Sequence, residues 1–384
     1  FTGLYTHERT AGLAIYKVEV NDIIFGIAMF LVWLGMAIPG FRYLSFAIPF
    51  LVLVGCMSNR AVFNTSMVKA FAWYIAFALA TFPRAHRDGF KDLFLSFSGL
   101  SIMLLPTIPK LRLWAVFTWM LLAFLCYFGL GGALFRMVHI DLAKSYSNFE
   151  CDFAFVFSLL LPIAAMQRRW VIFLLSAFLA VISLKRIALL GAFAACVFVF
   201  VPRKLGMRLI NKWTMLAVNV IVLFIGIVYA HGTFDHAIEN RTGQSANQLG
   251  MGRRYAQHEA AKTIVDAPYK FVVFGQGAGR AYDAATKGAG MLTKINMHND
   301  LLKLMYEFGL VFFCVFFFLL YDTPSYKQRV ILLYYNFLLF TDNALIYYFV
   351  LFCMAMLMRT YCDDDLTEPA AEPKKQVDKP AWQY

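Results

Sequence analysis

The sequence predicts an all-α polytopic membrane protein, and three observations carry that reading. Of 384 residues, 61% are hydrophobic and only 15% charged. Mean hydropathy is +0.63. Apolar runs recur along the chain at lengths approaching the ~20 residues that carry a helix across a bilayer. A soluble domain of this size could not hide so much apolar surface, to which Phe alone contributes 40 residues.

The runs fall at 22–39, 43–57, 67–82, 92–108, 113–134, 150–166, 170–184, 187–201, 214–230, 301–321, 329–341 and 344–358, about twelve spans in all. They divide the chain into four parts. Residues 1–230 hold about nine spans, and 231–299 form one large hydrophilic loop. Residues 300–361 hold about three more spans, and 362–384 are expected to be a disordered tail rich in Asp, Glu, Pro and Lys. The amino-terminal stretch has no cleavable-signal pattern, so the first span is expected to be retained.

An even number of spans puts both termini on one side, and the short loops choose the side. With cytoplasmic termini, fifteen Lys and Arg residues fall inside, among them Arg60, Arg168, Arg169, Arg203, Arg329 and Arg359. Eight fall outside: Arg42, Arg84, Arg87, Lys91, Arg136, Lys144, Lys185 and Arg186. The excess lies inside, as orientation by positive charge requires. The large loop and the Lys185-Arg186 pair are then on the outer face. The net charge of +12 is accounted for by these flanks and the large loop, which excludes nucleic acid as a partner. Seven scattered cysteines show no metal or disulfide spacing, and no metal site is expected. Asp363-Asp-Asp365 is acidic enough to bind a cation, but it lies in the cytoplasmic tail.

Within the large loop, Arg253 to Val265 is rich in helix formers, with Arg254, His258 and Lys262 four residues apart on one face. Asp266-Ala-Pro268 ends that helix. Gly275-Gln-Gly277-Ala-Gly279 has G-x-G-x-G spacing, but no βαβ unit surrounds it to make a dinucleotide site.

The most unusual stretch is Lys294 to Phe313. His298, Asn299 and Asp300 stand in succession at the point where the loop re-enters the membrane. Asn299 and Asp300 are N-cap residue types, and Asp300, Lys303 and Glu307 share one face of the helix that follows. Charge at the mouth of a span is expensive and marks a wet cavity or a site. The plain alternative is a capped helix with solvated charges in its first turn.

Three outer-face groups are candidates to converge: Lys185-Arg186, Arg253-Arg254 with His258, and His298-Asn299-Asp300. Arginine forks suit a diphosphate, and a histidine beside them can take a proton from a hydroxyl. Each group also has a structural reading. Lys185 and Arg186 can anchor helix ends in headgroups, Arg253-Arg254 can be a solvated face, and His258 a surface residue.

The run Met297-His298-Asn299-Asp300-Leu-Leu302-Lys303-Leu-Met-Tyr-Glu307-Phe-Gly309 resembles the H-N-x-x-L-x-x-x-x-E-x-G signature of the O-antigen ligase and Wzy-type polymerase superfamily. Ser183-Leu-Lys185-Arg186-Ile-Ala-Leu-Leu190 is similar to its basic motif opening a span. Asp266-Ala-Pro268 with Gly275-Gln-Gly277 is similar to its loop pattern. The resemblance covers about residues 175–315. It implies a GT-C-like fold and metal-independent, inverting glycosyl transfer at the periplasmic face of the bacterial inner membrane, with no cofactor. The donor would be a glycan on undecaprenyl diphosphate. The acceptor would be another lipid-linked repeat unit in an O-antigen or exopolysaccharide polymerase, and lipid A–core in a ligase.

Carried over by position, Arg186 would hold the leaving diphosphate, with Arg254 or Arg253 as a second clamp and Lys185 beside them. His298 would orient or deprotonate the acceptor hydroxyl, and Asn299, Asp300 and Glu307 would support it. Arg254 is preferred only because it shares a face with His258. The polymerase is preferred for the basic pair followed by Leu-Leu. A chain-length regulator and a flippase are conceivable partners. The rival from another class, a flippase or transporter, would need charges midway along several spans, and these are few.

Overall fold

A computed structural model describes residues 19–58, 65–131, 139–141, 146–250 and 252–362. The expected carboxy-terminal tail and its Asp363-Asp-Asp365 run lie outside the described residues, as do Arg9, Lys17, Arg60, Arg136 and Lys144 of the charge count.

The described chain is helical apart from a two-residue antiparallel pairing of Ile140–Asp141 with Tyr146–Ser147. In the first half, α1 spans Val20–Ala37, α2 Ile48–Ser58, α3 Ser66–Ala80, α4 Arg87–Leu100, α5 Leu113–Leu130 and α6 Phe153–Met166. There follow α7 Trp170–Ile182, α8 Arg186–Phe200, α9 Arg203–Leu209 and α10 Lys212–His231. The large loop carries α11 Asp235–Thr242, α12 Ala246–Leu249, α13 Arg253–Asp266 and α14 Arg280–Gly288. The last four are α15 Asp300–Phe308, α16 Leu310–Leu320, α17 Tyr326–Thr341 and α18 Tyr348–Tyr361.

Four stretches among the described residues are long and apolar enough to cross a bilayer unaided: α1, residues 39–57, α5 and α10. The other apolar helices are shorter, such as the 13 residues of α7 and the 11 of α16. α10 shows how sequence sets the limits of a span. The Asn211 side chain accepts the N–H groups of Trp213 and Thr214 at 2.8 and 3.0 Å, and Gly232 closes the far end at φ +103°. The 20 residues between them rise ~30 Å, the depth of a hydrocarbon core.

Burial divides the helices into two sets. Residues 153–165 of α6 are buried throughout, as are nearly all of α18 and most of α17. α17 packs on α8, α6 on α7 and α8, and α18 on α4, so the centre is helix against helix. Outside them, Leu174 and Phe178 of α7, Phe193 of α8 and Ile221 of α10 are more than half exposed. An apolar surface of this extent is a lipid-facing surface, and the molecule is an α-helical membrane protein.

One apolar run breaks where the sequence reads it as continuous. Residues 301–321 form two helices, α15 and α16, parted by Gly309 at φ +91°. A Cβ at that position would stand 3.1 Å from the backbone of Phe271, Val273 and Phe274, which cross between the two helices. The Val311 N–H donates to the Val272 carbonyl at 2.9 Å, sealing the crossing. α15 is consequently a buried helix in its own right rather than the first turns of a span.

Candidate active site

The turn between α17 and α18 is the hub of the site. α17 stops at Thr341 because Asp342 takes an extended backbone, with φ −139° and ψ −177°. Four side chains from other elements then fasten onto residues 341–347. Arg253 of α13 donates from Nη1 to the Thr341 carbonyl at 3.1 Å. Asp300 Oδ2 accepts the Leu345 N–H at 2.8 Å, and Ser96 of α4 donates to the Leu345 carbonyl at 2.5 Å. His298 meets both Asp342 and Asn343.

His298 is held in a left-handed conformation at φ +52°, which costs a non-glycine residue about 1 kcal/mol. Two neighbours offset that cost. Asn343 Oδ1 accepts the His298 N–H at 3.1 Å, and Gln257 Nε2 donates to the carbonyls of Met297 and His298 at 3.2 and 3.4 Å. The ring is oriented by the same turn, with Nδ1 3.0 Å from Asn343 Nδ2 and 3.6 Å from Asp342 Oδ1. These two partners ask opposite things of Nδ1. Asn343 donates to a bare Nδ1, which puts the proton on Nε2; Asp342 favours a protonated Nδ1, which leaves Nε2 a free base. The Asp342 carboxyl is buried, which alone would raise its pKa. Hydrogen bonds from His298, Tyr347 and the Asn343 N–H outweigh burial and hold it below the usual carboxylate range. The Tyr347 hydroxyl donates to Asp342 Oδ1 at 2.7 Å.

The His298 side chain is 39% exposed, facing a cavity of 680 Å³. Arg42, Lys91, Lys294, Asp152 and Tyr347 line the same space. Lys185 stands behind Asp152, 3.1 Å from Glu150 Oε1 and 3.7 Å from Asp152 Oδ1. Burial works against the Lys185 ammonium, yet Asp152 and Glu150 hold its pKa above the ordinary lysine value. Arg186 is the exposed first residue of α8, next to Lys185.

The two arginines of α13 point different ways. Arg253 and Gln257, four residues apart, face the His298 turn. Arg254 pairs with Asp235 at 2.5 Å, and His258 Nδ1 lies 3.0 Å from the Ala230 carbonyl at the end of α10. The face shared by Arg254 and His258, which the sequence favours, is turned toward α10 and α11. Among the described residues, neither lines the 680 Å³ cavity.

The polar stripe of α15 is buried, and each of its side chains makes at least one hydrogen bond or ion pair. Asn299 caps the helix by accepting the Leu302 N–H at 3.0 Å. Lys303 is ion-paired with Asp92 of α4, whose other oxygen accepts from the Tyr282 hydroxyl at 2.8 Å. Glu307 accepts the N–H groups of Gly279 and Ala281 at 2.9 and 3.1 Å, capping α14. Gln276 and Gly277 in turn donate to the carbonyls of Tyr306 and Glu307 at 2.8 and 2.9 Å. The glycine-rich turn is thus a clamp on the end of α15 that allows close backbone approach: a Cβ on Gly275 would meet the Glu307 backbone at 2.4 Å. Asp300, Lys303 and Glu307 tie the turn after α17, α4 and α14 to the helix that starts beside His298.

Sequence reasoning passed over Asp342, Asn343 and Gln257. Their signal was a polar pair, Asp342-Asn343, in the narrow gap between two apolar runs. Gln257 stands four residues after Arg253, the spacing that shares a helix face.

No curated protein and no solved structure matches the chain. Residues 171–317 match the family model Wzy_C, described as O-Antigen ligase, a stretch that contains α8, the large loop, His298 and α15. That segment is similar to the O-antigen ligase family, consistent with the resemblance to the O-antigen ligase and polymerase superfamily read from the sequence.

Proposed function

We propose that the chain polymerises glycan repeat units carried on undecaprenyl diphosphate, at the periplasmic face of the inner membrane, with both termini cytoplasmic. The observation that carries this reading is a histidine oriented by an aspartate and an asparagine at the wall of a cavity that also presents Arg42, Lys91 and Lys294. The acceptor hydroxyl attacks the anomeric carbon from the face opposite the leaving group. The carbon–oxygen bond to the diphosphate breaks, its electron pair leaves with the diphosphate, and the hydroxyl proton passes to His298 Nε2. Asp342 favours the tautomer in which Nε2 is free, and it stabilises the imidazolium that forms. Fixed cations lower the barrier because charge grows on the leaving diphosphate, so no metal is required of the mechanism. Arg186 and Lys185 are proposed to bind that diphosphate, with Arg253 favoured over Arg254 as the nearer clamp. Asn299, Asp300 and Glu307 hold the scaffold.

The description of the matched family favours a second reading, transfer of the finished glycan to lipid A–core. Deletion of the gene followed by gel analysis of the surface glycan separates the two. Lipid A–core bearing a single repeat marks a polymerase; bare core with accumulating lipid-linked polymer marks a ligase. A normal ladder would contradict both.

A further inference from the structure

A reaction joining two lipid-borne glycans has to hold two anionic headgroups, and the donor's cations, Lys185 and Arg186, account for only one. A second cationic group lines the cavity that holds His298. Arg42 follows α1, and Lys91 is the fifth residue of α4. Both stand over the ring of Tyr43, at 4.7 and 6.0 Å from its centroid, and Arg42 Nη2 donates to the Tyr43 hydroxyl at 2.7 Å. Both are exposed and line the cavity that holds His298. Among the described residues neither forms an ion pair with a carboxylate. This differs from Lys294, which is bound to Asp88 at 2.7 Å, and from Lys185 with its two acidic partners. Two cations set side by side on one aromatic ring keep their charge available for an incoming anion.

The space beyond them has a different character. An open groove of 1040 Å³ adjoins the cavity and shares Asp88, Lys91 and Lys294 with it. Its remaining wall is mainly aromatic: Tyr43, Phe46 and Phe50 on one side, Phe90 and Phe94 on the other. Phe50 is 62% exposed and Phe94 41%, on elements that include the apolar stretch 39–57, long enough to span a bilayer. A cationic head opening onto an aromatic, lipid-side trough matches an amphiphile with a phosphorylated head and a hydrocarbon tail.

We infer that Arg42, Lys91 and the Tyr43–Phe94 groove form a second lipid-phosphate site, which takes the acceptor while the Lys185 and Arg186 side takes the donor. This rests on the glycosyl-transfer reading.

Native mass spectrometry of the full-length chain in detergent tests the site with two probes, geranylgeranyl diphosphate and bisphosphorylated lipid A. Wild type should carry two molecules of phosphorylated lipid. The double variant Arg42→Gln, Lys91→Gln should retain one, and that retained molecule shows that the fold survives. Arg186→Gln should lose the other. Phe50→Ala with Phe94→Ala should weaken the prenyl diphosphate at the second site by about tenfold or more while leaving binding of inorganic pyrophosphate unchanged. A second site filled by prenyl diphosphate identifies the acceptor as a lipid-linked repeat; one filled by lipid A identifies a ligase's acceptor. A single bound lipid in wild type, or two in the Arg42, Lys91 variant, overturns the inference. Loss of transfer in His298→Ala alongside a single bound lipid would leave the glycosyl-transfer reading intact and remove only the second site.

Discussion

α17 and α18 run between two polar ends of the molecule, and the two ends treat basic residues differently. Arg329 and Thr341 are 12 residues apart on α17, a rise of ~18 Å. At the Arg329 end, cations are consumed by the fold. Arg329 donates to the carbonyls of Thr323, Met207 and Ile210 at 2.8, 3.1 and 3.4 Å. Arg359 of α18 donates to those of Met103, Leu105 and Pro106 at 3.0, 2.9 and 3.1 Å. At the His298 end, Arg42 and Lys91 face a cavity, and the polar groups of the turn orient a half-exposed ring. The lesson is that positive charge alone does not mark a site in a membrane protein; what the charge already binds does. Saturation of backbone carbonyls identifies an anchor, and an oriented histidine beside cations without carboxylate partners is where the proposed chemistry sits.

Perturbing the two ends should therefore separate activity from stability. The largest expected effect is His298→Ala, which should lower glycosyl transfer by ~10²–10⁴-fold, the contribution of a positioned base, without changing the amount of inserted protein. Asp342→Asn should cost somewhat less in kcat and shift the pH profile, because the amide no longer favours the tautomer with Nε2 free. A profile identical to wild type would remove Asp342 from the mechanism. Arg359→Ala should do the reverse. Three carbonyl acceptors at the partly buried Arg359 end lose a partner, so unfolding in detergent should become easier by about 1–3 kcal/mol, with turnover of the folded fraction unchanged.

Acidification sharpens the same contrast. The Asp342 carboxyl has a folded-state pKa below the ordinary ~3.9. Its stabilisation is therefore present above that ordinary value and is lost as pH falls through the lower folded value. Thermal unfolding measured from pH 6 downward should show this acid-labile contribution in wild type and not in Asp342→Asn. The smallest effect is expected between the two arginines of α13. Arg253→Ala removes a hydrogen bond to the Thr341 carbonyl and should reduce transfer about tenfold, whereas Arg254→Ala should act chiefly on α11. The opposite ranking would restore the Arg254 face as the clamp.

Much of this arrangement was legible in the chain. Helices lie within nearly every apolar run, because spans are set by hydrophobic length and polar caps such as Asn211. The motif from His298 to Gly309 announced itself, since His, Asn and Asp in succession are costly at the mouth of an apolar run. Three things were not legible. The break at Gly309 depends on backbone 271–275 crossing there, a tertiary contact that leaves only a glycine in the sequence. The choice between Arg253 and Arg254 depends on helix rotation, which one residue's spacing cannot fix. The role of Asp342-Asn343 depends on a pairing across 45 residues, so the pair read as a short loop.

The central claim is that His298, set by the turn after α17, performs glycosyl transfer in this cavity. Its most direct test is a time course with purified protein in proteoliposomes, supplied with a polyprenyl-diphosphate-linked oligosaccharide and followed by product length. Wild type and Arg359→Ala are predicted to extend or transfer the glycan, and His298→Ala, inserted to the same level, to leave it unchanged. Transfer by His298→Ala at the wild-type rate would contradict the account.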